Sequence, residues 1–127
     1  MNAWYSLLRW VLVLAFLATA SYAVPGIFLP GAAADLIGVE PPAVAVWPAF
    51  AFLLTFLVSL FHLVAAWNPF ENLITVWLSV AARLAGALIW FCLFPGWPVV
   101  GWIDLAFGLV LSLLTILAVR TPSIRVA

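Results

Sequence analysis

The sequence predicts an all-α integral membrane protein, a single domain of four transmembrane helices packed as a bundle with both termini in the cytoplasm. Of the 127 residues, 69% are hydrophobic and 6% are charged, whereas a soluble domain is about half apolar and a quarter charged. Such a chain could not cover a water-facing surface with polar groups. Its apolar stretches of roughly 20 residues match a hydrocarbon core of about 30 Å.

The first predicted span covers residues 4–24, and the helix-breaking pair Pro25-Gly26 ends it. Arg9, the apolar core that follows it and Ser21-Tyr22-Ala23 also resemble a secretory signal with a small-residue cleavage site. We expect the segment to be retained and to form the first transmembrane helix.

Residues 25–43 form the longest connection, in which prolines bracket a short, mildly amphipathic segment carrying Asp35 and Glu40. The pattern predicts a loop that contains one or two helical turns at the membrane surface. The alternative is a lid over a cavity between the helices, because connections of this length are often functional.

The remaining spans are predicted at residues 44–67, 72–94 and 99–119. Asn68-Pro69 separates the second span from the third, and the proline-rich residues 95–98 separate the third from the fourth. Four spans place both termini and the turn after the second span on one side of the membrane.

Charge sets the predicted orientation. Arg9, Arg120 and Arg125 lie on the side of the termini, whereas the connection on the other side carries only Asp35 and Glu40. The positive-inside rule therefore places both termini in the cytoplasm. Aromatic residues typical of a membrane interface would flank the same side: Trp4, Tyr5, Trp10, Trp67 and Trp77.

Composition also excludes some classes of function. The formal net charge is zero and lysine is absent, so no basic face is available to bind nucleic acid. The single cysteine, Cys92, excludes an internal disulfide and a CxxC redox pair, and we interpret it as a small buried apolar residue.

Polar residues inside the spans are the candidate site. Arg83 lies near the middle of the third span, where a guanidinium costs a few kcal/mol or more. We expect an ion pair with Asp104, direct or through water, facing the bundle interior. The alternative is that Asp104 reaches the outer headgroups alone, while Arg83 snorkels or meets backbone carbonyls. Helical spacing places Ser79 on the face of Arg83 and Ser112 on the face of Asp104. These residues and His62 form the predicted intramembrane polar site, although helix packing explains most of the pattern.

His62 is the only histidine. The simpler interpretation is a hydrogen bond to a neighbouring helix. The alternative is axial ligation of a haem or chlorophyll-type ring, because residues 60–69 resemble the His–Trp–Pro region of bacterial antenna polypeptides. Val58 stands where those polypeptides carry a small residue. No other metal site is predicted, since one histidine and scattered carboxylates do not form one.

The order of several sequence segments resembles that of a known family. After the first span come the proline-rich FLPGAAADLIGVEPP, a second span ending in AAWNP, and a third span containing VAARLAG. This order resembles small four-helix bacterial inner-membrane proteins of the broad DoxX-like type, over about the first three quarters of the chain. The resemblance implies a bundle in the bacterial plasma membrane and, in some relatives, an association with oxidoreductase or electron-transfer complexes. It supplies no catalytic residue.

No catalytic motif is present, neither GxSxG, HExxH nor a P-loop. The sequence therefore favours a non-enzymatic accessory subunit of a larger bacterial membrane complex, such as an electron-transfer or photosynthetic one. The subunit would stabilise the assembly or shape the access of lipid or quinone. Its expected partners are the bilayer and that complex, or further copies of the chain. The first alternative is a small-molecule-binding protein or DoxX-like membrane enzyme with an intramembrane polar cavity. The second is a pigment- or haem-binding subunit that uses His62.

Overall fold

The computed structural model describes residues 2–37, 40, 46–93 and 98–121, and these form an all-α structure. Four of its helices are long and apolar enough to cross a membrane, which agrees with the predicted number of spans. The helices in chain order are α1 (Ala3–Phe28), α2 (Pro30–Ile37), α3 (Val46–Trp67), α4 (Leu73–Leu93) and α5 (Pro98–Arg120).

The first helix is longer than predicted, because α1 continues through Pro25 to Phe28. A proline removes one backbone hydrogen bond from a helix interior. Two contacts hold the last turn in place: the Leu29 N–H donates to the Pro25 carbonyl at 2.7 Å, and Gly26 lies against the Phe52 ring of α3 so closely that a Cβ atom would have no room. The prediction that Pro25-Gly26 ends the helix was wrong, because packing against α3 outweighs the lost bond.

The other boundaries lie within two residues of the predicted ones wherever the structure describes them. The predicted helical turns in the long connection are confirmed as α2, which has 8 residues. The predicted break at residues 95–97 and the cation Arg125 lie outside the described residues. Pro98 is the first residue of α5, where its missing N–H would have no helical partner anyway.

The four long helices form an up-down-up-down bundle. α1 packs against α3 and α5, and α4 packs against α5 and α3, so α1 and α4 lie diagonally across the bundle. Neighbours are antiparallel: the start of α1 meets the end of α3 through Arg9 and Ala66, and Asn2 reaches the Thr121 carbonyl at 3.3 Å after α5. The turn between α3 and α4 lies at this same end, since the Tyr5 hydroxyl donates to Asn68 Oδ1 at 3.1 Å.

Apolar side chains fill this end of the bundle, and all four long helices contribute to the cluster. Its largest buried members are Leu8, Leu12, Val76, Leu111 and Leu114. Cys92, by contrast, is exposed on α4, so its interpretation as a buried residue was wrong. It lies on the outer face of the helix, and a small apolar side chain does not by itself distinguish a core position from a surface position.

Candidate functional site

Arg83 lies at the centre of the bundle and is only 6% exposed. Its Nη1 donates to Asp104 Oδ1 of α5 at 2.7 Å, so the predicted ion pair is present. Its Nη2 donates to the Ala15 carbonyl at 2.6 Å and to Thr19 Oγ1 at 2.5 Å, both on α1. Its Nε lies 3.4 Å from His62 Nε2 of α3. One side chain of α4 therefore bonds to each of the other three long helices.

Small neighbours make this arrangement possible. Gly86 lies one turn after Arg83, and a Cβ atom there would approach Asp104 Oδ2 to 2.6 Å. The glycine thus leaves room for the carboxylate beside the guanidinium. On α1 the Thr19 hydroxyl donates to the Ala15 carbonyl at 3.1 Å, so its oxygen remains free to accept from Arg83. The Phe107 ring lies 5.3 Å from the guanidinium carbon and adds a cation–π contact.

His62 uses both of its ring nitrogens within the chain. An arginine N–H can only donate, so Nε2 accepts from Arg83 and Nδ1 carries the ring proton. Nδ1 lies 3.1 Å from the Ser59 carbonyl, to which it donates. The arrangement leaves no free ring nitrogen for a haem or chlorophyll-type metal, and the histidine instead joins α3 to α4. Within the described ranges, no three His, Cys, Asp or Glu side chains cluster as metal ligands would.

The structure does not bring Ser79 and Ser112 to this network. Ser79 Oγ donates to the Thr75 carbonyl at 2.9 Å, and Ser112 Oγ donates to the Gly108 carbonyl at 2.8 Å. In each case the acceptor lies one turn earlier on the same helix, which is the usual bond of a serine in an apolar helix. Sharing a helical face with Arg83 or Asp104 did not suffice, because that face extends over several turns.

Sequence reasoning missed the contribution of α1, namely Thr19, Tyr22 and the carbonyl of Ala15. Ala15, Thr19 and Ala23 are buried at four-residue spacing, which is a stripe of small residues facing the bundle. This spacing was the available signal, but the apolar character of the segment and its signal-like end obscure it.

Two cavities meet at Arg83 and Asp104. The α3-side cavity, of about 320 Å³, lies between α1, α3 and α4, and Thr55 and Ser59 line its α3 wall. The α5-side cavity, of about 410 Å³, lies between α1 and α5 and includes Leu36 of α2. Tyr22 of α1 lines both cavities together with the ion pair. The long connection thus contributes to a cavity wall, as the lid alternative requires.

The network satisfies its own polar groups. Among the residues that the structure describes, every buried side-chain nitrogen and oxygen atom has a hydrogen-bond partner. Comparisons of the chain with protein-family models, with curated proteins and with solved structures give no match. The DoxX-like resemblance therefore stays an expectation from the sequence. The function proposed below depends on the contacts and cavities around Arg83.

Proposed function

We propose that the chain is a multi-pass protein of the bacterial inner membrane, where it serves as a non-enzymatic accessory subunit of a larger membrane complex. The support for a membrane position is the surface of the bundle. Each long helix exposes large apolar side chains on its outer face, among them Leu14, Leu57, Leu88 and Leu113. In water, contiguous apolar surface of this extent would aggregate, whereas acyl chains or other apolar helices would cover it.

The main support for a non-enzymatic role is that the polar groups around Arg83 already have hydrogen-bond partners within the chain. Arg83 is paired with Asp104 and bonded to three further groups. A buried polar group without a partner can indicate a catalytic role, and the described residues contain none. In this chain the polar groups around Arg83 are used to join helices, as expected of a scaffold that presents its outer faces to neighbours.

Purification of the tagged chain from native membranes in a mild detergent tests this role. We expect the native mass to exceed 13.8 kDa by the mass of other subunits, and the same subunits to recur between preparations. A tagged, unrelated four-span protein of similar size is the control for detergent carry-over. A monodisperse monomer without partners would contradict the proposal.

A second candidate function is the binding of a small neutral headgroup such as a quinone. Its support is that the two cavities share Tyr22 and Asp104, so a ligand carbonyl or hydroxyl could meet both side chains. Mass spectrometry of extracted lipid would then find a quinone retained by the wild type and lost in Tyr22→Phe. Ser112→Ala, which changes a hydroxyl outside both cavities, is the matched control. Equal quinone in all three samples would exclude this function.

A further inference from the structure

A groove between the start of α1 and the end of α3 contains Arg9, which is half-buried, whereas Arg83 is buried. The groove has a volume of about 490 Å³ and is lined by Ser6, Arg9, Trp10, Val13, Leu63 and Trp67 among others. We call it the Arg9 groove. It lies at the end of the bundle that carries the apolar cluster, away from the cavities around Arg83.

One hydrogen bond fixes the Arg9 side chain in the wall of this groove. Its Nε donates to the Ala66 carbonyl at 2.8 Å, in the last turn of α3, where helix carbonyls lack a helical partner. A cation is also favoured there by the helix dipole. No described residue accepts a hydrogen bond from either Nη atom, so that edge of the guanidinium fork is available.

Arg9 and Arg83 differ in their partners. Arg83 has Asp104 against it, whereas the described residues that line the Arg9 groove include no acidic side chain. Glu71, in the turn after α3, is exposed and does not line the groove. The free edge of a guanidinium matches two oxygens of a phosphate, and the missing acid would have to come from the ligand.

The rest of the lining matches the body of a lipid. Trp10 is 65% exposed and Trp67 is 83% exposed, and indole rings prefer the level of the headgroups. Val13 lies one turn deeper than Arg9, and Leu63 lies one turn deeper than Trp67, so the apolar wall begins below the cation. The polar groups of the groove thus lie above its apolar wall, in the same order as the headgroup and acyl chains of a phospholipid.

We propose that the Arg9 groove binds an anionic phospholipid, with the headgroup phosphate on Arg9 and Ser6 and one acyl chain along Val13 and Leu63. The lipid is anionic, not zwitterionic, because none of the described lining residues offers a carboxylate to an ammonium headgroup. This inference goes beyond the proposed function but relies on the proposed position of the bundle in a bilayer.

Native mass spectrometry of the purified chain in detergent tests the inference directly. Equal amounts of phosphatidylglycerol and phosphatidylethanolamine are added, and the bound fractions are compared. We expect the wild type to retain severalfold more phosphatidylglycerol, and Arg9→Gln to lose that preference. Arg120→Gln removes the same charge at the same end of the bundle but outside the groove, so it should keep the preference. Equal losses in both variants would reduce the effect to general charge attraction and overturn the site.

Because Arg9 also bonds to Ala66, its substitution could prevent folding, and a measurement on the unaltered arginine avoids that difficulty. The difference in tryptophan fluorescence between the wild type and Trp67→Phe isolates the signal of Trp67 in vesicles. Phosphatidylglycerol brominated on its acyl chains should quench that signal more than brominated phosphatidylethanolamine. Equal quenching would contradict the lipid site alone, whereas failure of the chain to insert into either vesicle would contradict its membrane position as well.

Discussion

A single arginine determines how the centre of this bundle is built. Arg83 brings a charge into the interior of the bundle, where an unpaired buried ion costs several kcal/mol. Its acceptors are a carboxylate, a carbonyl, a hydroxyl and an imidazole, from all three neighbouring long helices. Hydrogen bonds to charged groups contribute about 1.5–3 kcal/mol each, so a set of this size can offset the burial of the charge. The same bonds fix the relative positions of the helices along their axes.

Removing one member of the ion pair should destabilise the bundle, because it leaves the other charge without compensation. We expect Arg83→Leu to lower the free energy of unfolding by about 3–5 kcal/mol, and Asp104→Asn to lower it in the same direction. The double variant should cost less than the sum of the two, with a coupling of about 1–3 kcal/mol. Unfolding in mixed micelles measures all three values, and Ser112→Ala serves as a neutral control. Strictly additive effects would show that Arg83 and Asp104 do not stabilise each other.

His62 should matter less than Arg83. Its bond to the Arg83 Nε is long, at 3.4 Å, and the guanidinium keeps its other partners when the imidazole is removed. We expect His62→Leu to lower the free energy of unfolding by about 1 kcal/mol, the usual value of one hydrogen bond. The absorption spectrum of the purified chain should be the same with and without the histidine. A visible band that disappears in His62→Leu would restore the pigment alternative.

At the scale of helices, the close contact between the backbone of α1 and a side chain of α3 decides where α1 ends. Gly26 is buried against the Phe52 ring, with less than 3 Å available for a Cβ atom. We expect Gly26→Ala to lower the free energy of unfolding by about 1–3 kcal/mol, the usual cost of overpacking, and Phe52→Leu to reverse part of the loss in the double variant.

Gly31→Ala is the matched control for that substitution, because a Cβ placed at Gly31 in α2 meets no atom within 4 Å beyond its chain neighbours and the nearby backbone of its own helix. Alanine is favoured over glycine inside a helix by about 1 kcal/mol, so this variant should unfold at an equal or higher temperature. Thermal unfolding of both variants in one detergent makes the comparison. Equal melting temperatures for Gly26→Ala and Gly31→Ala would show that the contact with Phe52 does not constrain α1.

The same contact shows how far the sequence determines the fold. Length and apolar composition sufficed to predict the four long helices, because a span must satisfy its backbone within itself. The end of α1 could not be predicted, since it depends on Phe52, a residue distant in the chain. The Arg83–Asp104 pair was predictable because few charges were available to partner one another. Sequence alone could not distinguish Ser79 and Ser112 from residues that bond to Arg83. A shared helical face gives the direction of a side chain but not its position along the helix axis.

At the scale of the whole molecule, the two ends of the bundle are packed differently. The end at which α1 begins is closed by apolar packing and by bonds such as that of Tyr5 with Asn68. The cavities lie farther along, where α1, α2 and α5 approach Asp104. The end that is closed also carries Arg9 and Arg120, so the positive-inside rule predicts that this end faces the cytoplasm. We then expect the cavities to lie toward the outer half of the membrane.

Reporter fusions to the C-terminus test this orientation. We expect a fused fluorescent protein to be bright and a fused periplasmic phosphatase to be inactive, because both reporters would be in the cytoplasm. Basic residues near short loops set orientation, so Arg9→Gln and Arg120→Gln combined with Asp35→Arg and Glu40→Arg should make the phosphatase fusion active in a share of the molecules. Glu71→Gln is the control and should change neither reporter, since acidic residues contribute little to the rule. An active phosphatase on the unaltered chain would place the Arg9 groove in the outer leaflet and reverse the assignment of both ends.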